Sequence, residues 1–97
     1  MNYNINILKA LADETRVNII LVLKEGEKSV SEVVSKVNKS QPNVSIALKK
    51  LENVGLISQN RDKKNVFYKI KNKELVDKIL NLIKKWISLL KKEDLES

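Results

Sequence analysis

The segment from Ser29 to Gly55 carries two sets of helix-start signals and constrains the fold more than any other part of the chain. Ser29 followed by Glu32 matches a capping box, in which each side chain accepts a hydrogen bond from the backbone N–H of the other residue. Ser40 precedes Pro42, and proline is tolerated in a first helical turn because the N–H that it lacks would have no partner there. Gly55 can adopt the left-handed conformation that ends a helix. The segment therefore predicts two short, separate helices.

Both predicted helices have a regular apolar face. In the first helix, which is expected to end near Val37, the face consists of Val30, Val33, Val34 and Val37. In the second helix it consists of Val44, Ala47, Leu48, Leu51 and Val54. Two helices joined by a turn as short as residues 38–39 form a helix-turn-helix. We assign this unit to residues 29–54.

The apolar spacing changes after Gly55. Leu56-Ile57 predicts one strand, and Val66, Tyr68 and Ile70 alternate as the buried face of another, because successive side chains of a strand point to opposite sides. The polar run of residues 61–65 is expected at the tip of the hairpin. A two-stranded hairpin after a helix-turn-helix is a wing, which we assign to residues 56–70.

Helices are also predicted on both sides of this unit. A short first helix is expected from about Ile5 to Leu11. A second is expected to open with Asp13 as its N-cap and to stop at Gly26 in the left-handed conformation. The last helix is expected over residues 72–92.

The last predicted helix is more apolar than one domain requires. Its apolar residues are Leu75, Val76, Ile79, Leu80, Leu82, Ile83, Trp86, Ile87, Leu89 and Leu90. They cover more than a narrow stripe, so one side is expected to pack on its own domain and the rest on a second copy. The predicted fold class is mainly α with a small β-hairpin, in the order α-α-α-α-β-β-α, with residues 1–97 forming a single winged helix-turn-helix domain.

The positive charge is concentrated in the middle of the chain. Residues 38–73 contain nine Lys or Arg and two acidic residues, whereas residues 1–37 and 74–97 each balance five cations with five anions. The formal net charge of +7 therefore lies in the segment that holds the second helix of the helix-turn-helix and the wing. A positive field on one segment between neutral flanks favours contact with a polyanion, and we predict double-stranded DNA as the partner.

The outward face of the second helix carries groups suited to a DNA major groove. With Val44 at the centre of the inward face, the helical repeat directs Ile46, Lys49 and Asn53 outward. Amides can pair with adenine, Ile46 can touch the thymine methyl, and the cations are expected near phosphates or, from the wing, near the minor groove. The predicted DNA-binding residues are Lys39, Gln41, Asn43, Ser45, Ile46, Lys49, Lys50, Asn53, Arg61, Lys63 and Lys64. Alternatively, Ile46 is a lone surface apolar residue and the wing cations are a solvated hairpin tip.

The chain contains no Cys and no His. This composition removes disulfides, thiol chemistry and the commonest ligands for zinc and copper, so we expect no metal and no cofactor. No glycine-rich phosphate loop and no convergent pair of carboxylates is evident, which argues against an enzyme. No stretch approaches the roughly 20 apolar residues of a membrane span, and the start lacks a signal-peptide pattern. We expect a cytoplasmic, nucleoid-associated protein without membrane contact.

Two phrases, Leu8–Val17 (LKALADETRV) and Ser40–Leu51 (SQPNVSIALKKL), resemble the ArsR family of winged-helix transcriptional repressors. Val54–Ile57 and Val66–Ile70 extend the resemblance over nearly the whole chain. It implies a homodimer held by the first and last helices, with the helix of residues 41–53 in the major groove of a two-fold symmetric operator. The interface residues expected on this basis are Ile5, Leu8, Leu75, Ile79, Leu82, Ile83, Trp86, Ile87 and Leu90.

The chain departs from the metal-sensing members of that family at their ligand positions. Where those members often carry Cys-Val-Cys at the start of the third helix, this chain has Ser29-Val30-Ser31. The last helix contains Glu74 and Asp77 but no His. Because hydroxyl groups do not replace thiolates as soft ligands, sensing of arsenite, cadmium or zinc by these routes is not expected. The sequence identifies no small-molecule effector.

The leading hypothesis is a dimeric, sequence-specific DNA-binding repressor. Two alternatives stay open at this point. One is a nonspecific, chromatin-like DNA-binding protein with the same fold, and the other is a winged-helix module whose exposed helix contacts a protein. The local positive charge favours nucleic acid over a protein partner.

Overall fold

The structure, a computed structural model, describes residues 3–96, with side chains described for residues 6–90. The elements within this range are α1 (Tyr3–Leu11), α2 (Glu14–Leu23), β1 (Lys28–Ser29), α3 (Val30–Val37), α4 (Gln41–Asn53), β2 (Ile57–Asp62), β3 (Asn65–Ile70) and α5 (Lys73–Glu96). The prediction of a mainly helical chain with a β-hairpin is confirmed, although α5 continues to Glu96 instead of ending at residue 92. No helix in the described range is long and apolar enough to cross a membrane.

The predicted N-caps form hydrogen bonds in the structure. The Asp13 carboxylate accepts a hydrogen bond from the Arg16 backbone N–H at 3.0 Å. Ser29 Oγ accepts from the Glu32 N–H at 3.3 Å and Glu32 Oε1 accepts from the Ser29 N–H at 3.0 Å, which completes the capping box. Ser40 Oγ accepts from the Asn43 N–H at 3.3 Å. Each cap pairs an N–H that a helix leaves without an internal partner and contributes about 1 kcal/mol.

Gly55 ends α4 in the predicted way. Its φ is +82°, and its N–H donates to the Glu52 carbonyl at 3.0 Å. The following N–H, of Leu56, donates to the Leu51 carbonyl at 3.1 Å. These two bonds are the Schellman arrangement, which turns the chain sharply from the helix into β2.

The predicted role of Gly26 was wrong in position. Helix α2 already ends at Leu23 with Lys24 as its C-cap, so Gly26 lies one residue beyond the C′ position. The Gly26 N–H donates to the Leu23 carbonyl at 3.1 Å, and its φ of +138° is far from the value of about +57° of a left-handed cap. This bond and the bond from the Glu25 N–H to the Val22 carbonyl, also 3.1 Å, each span three residues and tighten the end of α2.

The sheet contains a strand that the sequence did not predict. Three antiparallel strands lie in the order β1-β3-β2, with Lys28 opposite Tyr68 and Ile57 opposite Ile70. Strand β1 has two residues and runs directly into the capping box, so it is too short to show an alternating pattern. The predicted element order α-α-α-α-β-β-α is therefore corrected to α-α-β-α-α-β-β-α.

The core lies between α2, α3, α4 and the sheet. Its largest fully buried side chains are Ile19, Ile20, Leu23, Val33, Val44, Leu48, Leu51 and Ile57. Helix α3 contributes Val33 in full, whereas Val30, Val34 and Val37 are partly buried at the edge of the core, less than predicted. Helix α5 joins the core through Val76 and Leu80.

Candidate nucleic-acid interface

Helix α4 is divided into a buried face and an exposed face. The buried face consists of Val44, Ala47, Leu48 and Leu51. The predicted DNA-binding residues of this helix are all exposed, namely Gln41, Asn43, Ser45, Ile46, Lys49, Lys50 and Asn53. These side chains can therefore meet a ligand while the opposite side of the helix stays anchored in the core.

The turn before α4 is set by Asn38. This residue has a left-handed φ of +56° and donates its N–H to the Val34 carbonyl at 3.1 Å, which caps α3. Asparagine tolerates this conformation better than most residues because its short polar side chain bonds locally. The exposed Lys39 follows at once, next to the N-terminal end of α4.

Three predicted residues meet at a shallow cavity of about 210 Å³ beside the start of α4. The cavity is lined by Asp13, Thr15, Arg16, Lys39, Asn43, Ile46 and Ala47. Thr15 and Arg16 were not among the predicted site residues, because the sequence marks the first turn of α2 only as a helix start. The signal available in the sequence was a hydroxyl and a guanidinium two and three residues after the Asp13 N-cap.

Arg16 has a positioning role in this region. Its Nε donates to the Ala10 carbonyl at 2.6 Å and its Nη2 donates to the Lys9 carbonyl at 3.2 Å. These carbonyls belong to the last turn of α1, where a helix has no internal donors for them. A cation is also favourable at a helix C-terminus. Through these hydrogen bonds Arg16 links the end of α1 to the start of α2, close to the exposed face of α4.

The wing presents its predicted cations on β2 and on the hairpin turn. Arg61 lies in β2 opposite Val66, and Lys63 and Lys64 form the turn between the paired residues Asp62 and Asn65. All three cations are exposed. The turn is shorter than the predicted tip of residues 61–65, because strand pairing continues to its edge. Lys63 has a φ of +56°, which a two-residue hairpin turn requires and which costs a non-glycine residue about 1 kcal/mol.

The charge of Lys49 is only weakly engaged within the chain. Its Nζ lies 3.9 Å from Glu52 Oε1 one helical turn away, and the Lys49 side chain is well exposed. Exposed ion pairs of this kind contribute roughly 0–1 kcal/mol. Lys49 can therefore exchange this partner for an external anion at small cost.

Two hydroxyl groups lie at the start of α3, where the resemblance implied the ligand positions of metal-sensing members. Ser29 Oγ lies 3.2 Å from Ser31 Oγ and also accepts the Glu32 N–H. These hydroxyls belong to a helix cap, and hydroxyl oxygen is a poor ligand for a soft metal ion. The residues at this position do not fit such an ion.

The predicted dimer residues lie mostly on exposed apolar surface. Those with exposed side chains are Leu8, Leu75, Leu82, Ile83, Trp86, Ile87 and Leu90, and the apolar Leu89 is exposed beside them. Ile79 is partly buried, and the side chain of Ile5 lies outside the described residues. Along α5 the helical repeat places Ile83 and Ile87 in line with Val76 and Leu80. The stripe that is buried in the first half of α5 is thus exposed in the second half.

A helix-turn-helix with an exposed polar second helix, followed by a β-hairpin, defines the winged helix-turn-helix class of protein. The family described as bacterial regulatory protein, arsR family, matches residues 13–59. The chain is 32% identical over 83 residues to the transcriptional repressor SdpR of Bacillus subtilis, covering 82% of this chain and 92% of SdpR. The chain belongs to the arsR family, and the predicted resemblance is confirmed.

Two further similarities agree with this result. The HTH-type transcriptional regulator KmtR of Mycobacterium tuberculosis is 32% identical over 79 residues, which are 81% of this chain and 61% of KmtR. The chain spans 57–61% of the length of the first curated relatives that it matches. The crystal structure of NolR from Sinorhizobium fredii superposes with a TM-score of 0.79 at 30% identity, covering 87% of this chain and 83% of that chain. The predicted winged helix-turn-helix fold is confirmed, with strand β1 as an addition to the predicted element order.

Proposed function

We propose that the protein is a homodimeric, sequence-specific DNA-binding regulator that represses transcription by occupying promoter DNA. The observation that carries this proposal is the division of α4, whose apolar side is held in the core while its amide, hydroxyl and lysine side chains are exposed. In the cell this activity would place the protein at the nucleoid, in the cytoplasm. Membership of a family of regulatory proteins supports the proposal.

In this proposal α4 lies in the major groove. Gln41 and Asn43, near its N-terminal end, carry the amides that can bond bidentately to adenine. The ammonium groups of Lys39, Lys49 and Lys50 neutralise phosphates, which supplies affinity without sequence information. The helix-turn-helix of residues 29–54 is thus the unit that reads bases.

The wing of residues 56–70 supplies a second contact. Arg61 and the turn residues Lys63 and Lys64 are exposed cations at the end of the hairpin. From there they reach the neighbouring minor groove or the phosphate backbone. Each cation that neutralises a phosphate adds about −0.9 to the slope of log affinity against log salt concentration.

Dimerisation is the third part of the proposal and involves α1 and α5. A large apolar surface that stays exposed on a single chain is typical of a protein–protein contact. The exposed apolar residues here include Trp86 on α5 and Leu8 on α1, each 65% exposed. Two-fold pairing would present two copies of α4 to half-sites about one helical turn apart.

Names of relatives support the repressor assignment. SdpR is described as a transcriptional repressor and KmtR as an HTH-type transcriptional regulator. We extend repression to this chain because occupying promoter DNA requires only the DNA-binding and dimer surfaces already described.

The test is selection of bound duplexes from a random pool with the full chain, followed by affinity measurements against salt. We expect a two-fold symmetric consensus with half-sites about 10 base pairs apart. Asn43→Ala should change the preferred sequence, whereas Lys49→Ala should weaken binding to all sequences about equally.

The outcomes separate the alternatives. Binding without enrichment of any sequence would favour a nonspecific, chromatin-like protein. Absence of affinity for duplex at low salt would favour a module that contacts another protein through α4. Either result would overturn the proposed function.

A further inference from the structure

Ile46 is the large aliphatic residue of α4 that stays exposed. Its side chain is 57% exposed, whereas the other large aliphatic side chains of this helix, Val44, Leu48 and Leu51, are fully buried. Isolated exposed apolar residues are common and need no explanation. The position of Ile46 within the exposed face is therefore the informative observation.

Ile46 lies at the centre of that face. Residues three and four positions away along a helix are its surface neighbours. For Ile46 these are Pro42, Asn43, Lys49 and Lys50, all of them exposed. Ile46 also forms part of the cavity beside α4. If α4 enters a groove, a side chain in this position contacts the floor of that groove. The polar side chains of Asn43, Lys49 and Lys50 then lie on either side of Ile46.

The chemistry of base pairs restricts what an isoleucine can recognise there. In the major groove thymine displays a 5-methyl group, whereas guanine displays acceptors and cytosine an amino donor. The isoleucine side chain cannot form a hydrogen bond. Contact with guanine or cytosine would therefore displace water from their polar groups without giving them new hydrogen bonds, which costs free energy. Contact with a methyl group instead buries apolar surface on both sides.

We propose that Ile46 is a specificity-determining residue that selects a pyrimidine carrying a 5-methyl group, which in ordinary DNA is thymine, at one position of each half-site. This proposal rests on the proposed function, since it requires α4 to lie in the major groove. Asn43, one turn earlier on the same surface, would then contact a neighbouring base, and Lys49 and Lys50 the flanking phosphates.

The experiment uses the duplex that the full-length wild type enriches from a random pool. Each thymine of one half-site is replaced in turn by deoxyuridine, which pairs identically but lacks the methyl group. We expect one position at which the replacement weakens binding about fourfold, the effect of one buried methyl-sized group. With Ile46→Ala, the thymine and uridine duplexes should bind equally at that position.

Matched variants and bases control the result. Leu21→Ala removes another exposed aliphatic side chain, 41% exposed on α2, and should leave the thymine preference unchanged. Ile46→Val keeps methyl groups and should retain part of the preference. Exchanging the contacted thymine–adenine pair for cytosine–guanine should weaken binding, and 5-methylcytosine should recover part of the loss. Because the Ile46 side chain is largely exposed, both Ile46 variants are expected to fold, and thermal melting verifies this.

The outcomes distinguish this inference from the function on which it rests. If the wild type enriches a sequence but binds every uridine duplex as well as the thymine duplex, the inference is wrong and the proposed function stands. The same holds if a uridine effect persists undiminished in Ile46→Ala. If the wild type enriches no sequence, both proposals are overturned.

Discussion

Lys24 Nζ lies 2.9 Å from Asp77 Oδ1, so an ion pair joins the end of α2 to the first half of α5. Asp77 directly follows Val76, which is part of the core. The Oδ1 atom itself is buried, whereas each of the two side chains as a whole is partly exposed. Because the two side chains are 34% and 48% exposed, solvent weakens the pair to the range of surface ion pairs.

We predict a measurable coupling between Lys24 and Asp77. In a double-mutant cycle of Lys24→Met and Asp77→Asn, followed by urea unfolding, the coupling free energy should be about 0.5 kcal/mol at low salt. It should fall as the salt concentration rises, since exposed charges are screened. The Glu74–Lys78 pair within α5 is the control, with both side chains more exposed and a coupling of about 0.3 kcal/mol. A salt-independent coupling would show that packing, not charge, joins the helices.

The capping box predicts a particular response to acid. Hydrogen bonds with the Ser29 backbone N–H and hydroxyl, together with the nearby charges of Lys28 and Lys36, lower the pKa of Glu32 below its usual value, while desolvation opposes the shift. A carboxylate with a depressed folded-state pKa stabilises the fold at pH values above its unfolded pKa of about 4.3. This contribution is lost as the pH falls through the lower, folded-state pKa.

Glu32→Gln isolates this effect, because glutamine can still accept the Ser29 N–H but does not titrate. We expect wild type to melt at a higher temperature than the variant at neutral pH, and the gap between them to close in acid. Thermal melting from pH 7 to pH 3 measures it. A gap that stayed constant over this range would mean that the charge of Glu32 contributes nothing to the cap.

Local signals were predictable from the sequence because each acts within a few residues. Ser29 and Ser40 accept N–H groups three residues ahead, and Gly55 closes α4 through bonds to its last turn. Strand β1 was not predictable in this way. It pairs through Lys28 and Ser29 with a partner strand far along the chain, and two residues carry no periodicity.

The exposed face of α4 was predictable, whereas its surroundings were not. A helical repeat places Ile46 opposite Val44 without knowledge of any other element. The cavity that joins Ile46 to Thr15 depends on the packing of α2 against α4, which no local pattern encodes. The same limit applies to Arg16, whose bonds to α1 depend on how the chain folds back after Asp13.

Two adjacent lysines of the hairpin turn, Lys63 and Lys64, carry the same charge but differ in backbone conformation. Substituting each in turn therefore separates the effect of backbone strain from the effect of charge. Lys63 has a positive φ and Lys64 does not. Lys63→Gly should relieve backbone strain and stabilise the fold by about 0.5 kcal/mol, after allowance for the greater freedom of glycine in the unfolded chain. Lys64→Gly should be neutral or destabilising. Thermal melting of both variants tests the difference, and equal shifts would contradict it.

The same two variants should behave alike toward DNA if both lysines contact phosphates. Each removes one cation, so each should reduce the slope of log affinity against log salt by about 0.9. Affinity titrations at several salt concentrations measure this slope. Unchanged slopes in both variants would place the wing away from the duplex, leaving the stability prediction for Lys63 intact.

The exposed second half of α5 predicts concentration-dependent assembly that Trp86 can report. Trp86 is the single tryptophan of the chain and is 65% exposed in one protomer. If two copies bury it, its fluorescence emission should lie at shorter wavelength in concentrated samples and shift to longer wavelength on dilution. Buried aromatic side chains contribute much of the binding free energy of many interfaces. Trp86→Ala removes such a side chain and should therefore yield monomers. Light scattering at micromolar concentration measures the mass directly.

A charged substitution on the same stripe gives a second test of the dimer. Ile83→Asp places a carboxylate in the predicted interface and should prevent pairing, because an unpaired charge is costly to bury. Lys84→Ala changes the adjacent residue, which lies on the polar side of α5, and should leave the dimer intact. Both variants retain the buried Val76 and Leu80, so circular dichroism should show a folded chain. A wild type that scatters as a monomer, with tryptophan emission independent of concentration, would exclude pairing through this helix.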